Sequence, residues 1–169
     1  MECNEKDIVL NFIKGYGDNL RYASEKMKDN KEVVLTAVKR NGCALKYASK
    51  SLQDDKEVVL KAVKQYGSVL QYASESLKND KEVVLEAVKQ FGLALDFASE
   101  KLKYDKEVVL EAVKQDSSAL MYASRRLQVE FKEKGIEEIE KEIREAKTDK
   151  KSTIKPVKQS NFKIKTNKK

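Results

Sequence analysis

Apolar side chains recur along the chain in a block that repeats every 25 residues. Five blocks follow one another without a gap, at 5–29, 30–54, 55–79, 80–104 and 105–129. A fixed period of this size is the signature of a stacked repeat architecture, in which neighbouring units bury a continuous core. In the fourth block, DKEVVLEAVKQFGLALDFASEKLKY, a helical projection gathers Val83, Ala87, Phe91, Val84, Val88 and Leu85 on about 200° of a first helix. So wide an arc suits a helix packed against its own partner and against neighbouring units. Asp80 is a natural N-cap, Glu82 and Lys89 complement the helix dipole, and Gly92 suits a left-handed helix stop. A second helix is predicted over Leu93–Leu102, with Ala94, Ala98, Leu102, Leu95 and Ser99 within about 140°. The Ala-Ser pair recurs at 23–24, 48–49, 73–74, 98–99 and 123–124, where small side chains let helix backbones approach closely. Helices this short are marginal alone in water, so the units depend on stacking. The pattern therefore predicts an all-α fold, an α-solenoid of five 25-residue two-helix repeats.

The last unit departs from the pattern. Tyr16, Asn41, Tyr66 and Phe91 give way to Asp116, and Gly17, Gly42, Gly67 and Gly92 to Ser117, although Asp-Ser-Ser still favours a turn. No sixth unit follows, because Glu133-Lys134-Gly135 stands where Val-Val-Leu should fall. Residues 130–146 instead predict a C-terminal capping helix, with Ile136, Ile139, Ile143 and Ala146 on one stripe and Glu140 paired with Arg144 at i, i+4. A short coiled-coil partner helix is the alternative reading, supported by only two heptads. Residues 147–169 carry the single proline and no periodic apolar stripe, and predict a disordered Lys-rich tail. No comparable cap precedes the first unit. Its outer face is therefore expected either to be polar or to meet a partner.

The units resemble the repeats grouped as domain of unknown function 4116. The resemblance rests on Asp-Lys-Glu-Val-Val-Leu-x-Ala-Val-Lys followed by Gly-x-Ala-Leu-x-Tyr-Ala-Ser-x-x-Leu, and covers residues 5–129. It implies helical repeats and carries no activity, so it transfers no functional residue.

Charge divides the chain unevenly. The tail holds nine lysines and one acidic residue, a net +8 against +7 for the whole chain, which leaves −1 for the other 146 residues. Two cysteines, Cys3 and Cys43, make no disulfide framework. The amino terminus lacks the basic segment and apolar core of a secretory signal, and no apolar run approaches a membrane span. The expected setting is intracellular, the cytoplasm by default, with the nucleus an alternative opened by the lysine-rich tail.

The chain contains no histidine, no loop of the phosphate-binding type and too few cysteines for a four-ligand zinc site. No enzyme, metal site or cofactor is expected. Aspartates such as those in Asp54-Asp55-Lys56-Glu57 read as helix caps, and the recurrent serines as packed beside core alanines. Two lysine ladders run through the repeats, Lys14, Lys39, Lys64, Lys89, Lys114 and Lys6, Lys31, Lys56, Lys81, Lys106. The second lies beside Asp7, Glu32, Glu57, Glu82 and Glu107, which predicts ion pairs between adjacent units. The aromatic row Tyr22, Tyr47, Tyr72, Phe97, Tyr122 reads as packing at the core edge, with base stacking as its functional alternative.

A solenoid acquires a specific surface where its copies differ. Positions 18, 43, 68, 93 and 118 differ between copies, and two further rows do so as well. Those rows, Arg21, Lys46, Gln71, Asp96, Met121 and Asn11, Thr36, Lys61, Glu86, Glu111, are the candidate partner-binding positions. Tail residues Lys150, Lys151, Lys155, Lys158, Lys163, Lys165, Lys168 and Lys169 are the candidate polyanion contacts, since lysine without arginine favours diffuse phosphate attraction. The sequence thus points to a scaffold that binds an unidentified protein. The alternative is binding of RNA, DNA or an anionic membrane through the tail and the lysine ladders.

Overall fold

A computed structural model describes residues 5–152. In chain order its α-helices are α1 (Glu5–Gly15), α2 (Glu25–Lys28), α3 (Lys31–Arg40), α4 (Lys50–Gln53), α5 (Lys56–Val63), α6 (Glu75–Lys78), α7 (Lys81–Gln90), α8 (Glu100–Lys103), α9 (Lys106–Gln115) and α10 (Arg125–Ser152). Five 3-10 helices lie between them, Gly17–Tyr22, Gly42–Tyr47, Gly67–Tyr72, Gly92–Phe97 and Ser117–Tyr122. Helices α1, α3, α5, α7 and α9 stack side by side as one layer, and the 3-10 helices stack as a second. From α3 onward each long helix packs against its own 3-10 helix and that of the preceding unit, so the units interlock by half a step. No strand occurs among the described residues, and the chain is an all-α solenoid.

The long helices form where the sequence places them. Asp55, Asp80 and Asp105 each accept from the backbone amides two and three residues on, at 3.0 and 3.2 Å. Val33, Val34, Ala37 and Val38 of α3, with their counterparts in α5 and α7, are completely buried against Leu20, Leu45, Leu70 and Leu95 of the 3-10 layer.

The second helix of each unit is not a single α-helix. It is a six-residue 3-10 helix and a break at the Ala-Ser pair, followed in the first four units by one turn of α-helix and in the fifth by α10. The reason is a period of three. Gly42, Leu45 and Ala48 are all buried, as are Gly67, Leu70, Ala73 and Gly92, Leu95, Ala98. Residues three apart eclipse one another on a 3-10 helix, whereas on an α-helix they drift by about 60° per step. The extended break then frees the serine amide for the preceding unit. Ser49 donates to the Lys28 carbonyl, Ser74 to Gln53 and Ser124 to Lys103, each at 3.0 Å, and Ser99 to Lys78 at 2.9 Å. The hydroxyls of Ser49, Ser74 and Ser99 also cap the one-turn helices, accepting from Leu52, Leu77 and Leu102 at 3.3, 3.2 and 3.4 Å. They donate in turn to Asp29, Asp54 and Asn79 of the preceding unit. The serines are junction groups, not packing beside alanines.

The repeated glycines also differ from expectation. Gly17, Gly42, Gly67 and Gly92 do not adopt positive φ, so none is a left-handed stop. They are there because a backbone carbonyl of the next unit passes over them. A Cβ on Gly17, Gly42, Gly67 or Gly92 would lie 2.4, 2.8, 2.1 or 2.5 Å from the carbonyl oxygen of Ala37, Ala62, Ala87 or Ala112. The fifth unit has no such successor, and Ser117 stands at that position without obstruction.

At the C-terminal end, α10 kinks at Gly135, the one described residue with positive φ (φ 78°, ψ 168°). Before the kink Leu127 and Phe131 are buried, and after it the helix lies on α9 with Ile139 fully buried. The expected four-residue stripe is therefore only partly used. Ile139 and Ile143 meet the core, but Ile136, next to the kink, is 38% exposed and Ala146, near the far end, is exposed. Lys114 reaches Glu140 at 2.8 Å, and Lys147 pairs with Glu107. The helix continues to Ser152, taking in the first residues of the segment read as tail, including the backbone of Lys150 and Lys151. Residues 153–169, with Lys155, Lys158, Lys163, Lys165, Lys168 and Lys169, lie outside the described residues.

Candidate interaction surface

The lysine at the first position of each long helix opposes the helix dipole, and the structure places its compensation in the next unit. Lys31 bridges Asp55 and Glu57 at 2.7 and 2.9 Å, Lys56 bridges Asp80 and Glu82 at 2.7 and 2.8 Å, and Lys81 bridges Asp105 and Glu107 at 2.8 and 2.9 Å. Lys106 meets Glu130 at 2.6 Å and Glu142 at 3.0 Å, so α10 supplies the carboxylates that a sixth unit would have brought. Hydrogen bonds donated to these carboxylates raise the ammonium pKa of Lys31 and Lys56 above the ordinary lysine value. Pairs this exposed each contribute little to stability. Their repetition fixes the register of unit on unit, and the second ladder is engaged inside the stack as the sequence suggested.

The first ladder lies on the outer side of the long-helix layer. Lys14, Lys39, Lys64, Lys89 and Lys114 are exposed, with Lys89 3.8 Å from Glu86 and Lys114 3.9 Å from Glu111. In the aromatic row, Tyr47, Tyr72, Phe97 and Tyr122 are half-buried against the core, in keeping with packing, while Tyr22 of the first unit is 65% exposed.

The two candidate partner rows fall in different layers with the core between them. Asn11, Thr36, Lys61, Glu86 and Glu111 belong to the long helices, where Thr36, Glu86 and Glu111 are half-buried. Arg21, Lys46, Gln71, Asp96 and Met121 belong to the 3-10 layer, where all are exposed. Arg21 lies 4.4 Å over the ring of Tyr22, and Lys46 4.7 Å over that of Tyr47, so these cations are held by their neighbouring rings. Between the second and third units the same layer opens into a cleft of about 540 Å³ lined by Lys46, Lys50, Gln71, Tyr72, Ser74 and Lys78. A second cleft, about 530 Å³ and lined by Val113, Leu120, Phe131 and Ile136, opens at the kink of α10. Its presence depends on the positive φ of Gly135, which a lone glycine in a helical pattern did not announce. The other positions that vary between copies, Asp18, Cys43, Ser68 and Leu93, are half-buried at the junctions, and Ser118 is exposed.

Among the described residues no helix is long and apolar enough to cross a membrane. Interlocked helical units with closely similar junctions define the class as an α-solenoid of tandem repeats. The chain belongs to the family described as domain of unknown function DUF4116, whose model matches residues 5–53, 55–103 and 80–128. Each match takes in two successive 25-residue units, so the family's own module is a pair. No curated protein and no solved structure matches the chain.

Proposed function

We propose that the protein is a non-enzymatic helical-repeat scaffold that binds another protein along the row Arg21, Lys46, Gln71, Asp96, Met121. One contrast carries the reading. Beneath this row the junction residues are nearly invariant from copy to copy, while the five exposed side chains are two cations, an amide, a carboxylate and a thioether. In this row the variation falls where packing makes no demand and solvent reaches every side chain, whereas the equally variable Asp18, Cys43, Ser68 and Leu93 are half-buried. The long-helix row fits less well, because Glu86 and Glu111 sit beside Lys89 and Lys114 of their own helices. The chemistry of the row also describes its partner. Such a segment carries acidic groups opposite the first two units, a cation opposite Asp96 and an apolar side chain opposite Met121. The lysines of the second ladder are taken up by carboxylates of neighbouring units, which weighs against their holding a polyanion.

The test is nuclease-treated affinity capture with the full chain, a chain ending at Ser152, and the full chain carrying Lys46→Glu and Asp96→Lys. The expected result is one discrete protein retained by the first two and lost by the third. Retention by the charge-reversed variant refutes the assignment of the row. If the shortened chain retains nothing and nuclease or physiological salt strips the full-length catch, polyanion binding by the tail replaces this reading.

A further inference from the structure

The first unit leaves open a face that every later unit buries. On α1, Ile8 and Phe12 are each 54% exposed, whereas their counterparts Val33, Val58, Val83, Val108 and Ala37, Ala62, Ala87, Ala112 are all at 0%. Tyr16, just past the helix, is 77% exposed, and Tyr22 lacks the cover that its counterparts receive. Phe12 takes the place of an alanine that is wholly covered at every later junction, where its carbonyl approaches the preceding glycine. That geometry has no room for an aromatic ring. The face is therefore not shaped for another unit stacked as the others are. Nor does it suit the far end of a second copy, since α10 covers α9 there.

We propose that this face pairs with the same face of a second copy, about a two-fold axis at Phe12. Ile8 and Phe12 are one helical turn apart on α1, and Tyr16 follows just past its end, so the row is symmetric in sequence about Phe12. Two antiparallel α1 helices then place Phe12 against Phe12 of the second copy and Ile8 beside its Tyr16. The same arrangement opposes the two helix dipoles and leaves Glu5, on the Phe12 side of the helix, at the rim. This is the self-complementary pattern of an isologous interface, apolar at its centre and charged at its rim. At their observed exposures Phe12, Tyr16 and Tyr22 present about 300–500 Å² per copy, counting about 150–250 Å² for a fully buried aromatic. Doubled and joined by Ile8, this reaches the lower range of specific interfaces, so the dimer dissociates at micromolar concentrations. Pairing joins two solenoids at their first units and displays two copies of the variable row. It does not depend on what that row binds.

The experiment is sedimentation velocity on the full chain from about 1 to 500 µM, with Phe12→Glu, Phe12→Ala and, as a control at the opposite end, Met121→Glu. Helical content by circular dichroism accompanies each variant. The expected result is a monomer–dimer equilibrium weakened at least about 30-fold by Phe12→Glu, as for a central interface residue, less by Phe12→Ala, and unchanged by Met121→Glu. In a background of Cys3→Ser and Cys43→Ser, the Phe12→Cys variant should oxidise to a covalent dimer, because a two-fold axis brings the position onto itself. A chain that stays monomeric at 500 µM, mass that grows past the dimer, or a dimer indifferent to Phe12→Glu overturns the proposal.

Discussion

Replacing Gly67 by alanine tests the account of the repeated glycine most directly. The added Cβ would lie 2.1 Å from the Ala87 carbonyl oxygen, 2.9 Å from the Phe91 Cβ and 3.0 Å from the Phe91 amide nitrogen. Two of these three atoms belong to the backbone of the following unit, so no side-chain rotation relieves the contact. The junction must open by about 1 Å, and overpacking a close-packed interior costs about 1–3 kcal/mol. Against this stands the loss of unfolded-state freedom, which favours alanine by about 0.4–1 kcal/mol wherever the backbone conformation suits it. With a carbonyl this close the clash wins, for a net loss of about 2 kcal/mol. For a chain of this length that lowers the Tm by about 4–8 °C. The comparison is Gly15→Ala, where a Cβ meets nothing within 4 Å and the same entropic gain applies unopposed. Thermal unfolding followed at 222 nm should therefore move in opposite directions for the two variants. Equal stability for Gly67→Ala and the parent would show that the glycine is not required by the approach of the next unit.

Ser124 is buried and its hydroxyl has no hydrogen-bond partner, because Tyr104 stands where Asp29, Asp54 and Asn79 serve the other serines. Ser124→Ala should raise stability by about 1 kcal/mol, while Ser74→Ala, which removes a cap and an inter-unit bond, should lower it by about the same amount; urea titration of the pair decides. Gly135→Ala should cost about 1–3 kcal/mol, since φ 78° with ψ 168° is a region that only glycine adopts readily. In pH titrations of thermal stability, Asp54, held below the usual aspartate value by hydrogen bonds from Ser74 and Ser76, contributes stability above its unfolded pKa of 3.8 that is lost as pH falls through the lower folded value. Lys56, raised by the hydrogen bonds it donates to Asp80 and Glu82, contributes stability below 10.5 that is lost as pH rises through the higher folded value. With no histidine in the chain, the Tm of tag-free protein should hold level from about pH 5 to pH 9.

The long helices were legible in the sequence because cap, charge and apolar arc all agree there, as at Asp80, Glu82 and Val83–Val84. The second half of each unit was not, because a 100° projection was applied to a segment whose buried residues recur every three. Gly92, Leu95 and Ala98 carried that information. So did Ser74 and Ser99, each followed by a glutamate in the first turn of a new helix. The ion pairs between units were predictable from paired rows at fixed spacing. Which copy of each row lay at a junction was not, since a repeat sequence does not say which of its faces is covered. Only Ser117 hinted at it, by dropping the glycine where no successor follows.

Every internal junction is built from the same glycine, the same lysine reaching one or two carboxylates of the next unit and, with small changes, the same serine. Recombination between two copies therefore deletes or inserts a whole unit and recreates a junction already in use. Units two to four are interchangeable in this sense; the first is not, because Phe12 stands where a junction needs alanine, and the fifth is not, because Ser117 and the cap are written only once. The length of the stack can drift from one generation to the next while its terminus stays fixed, and a variable row of any number of positions lies within reach of the same grammar.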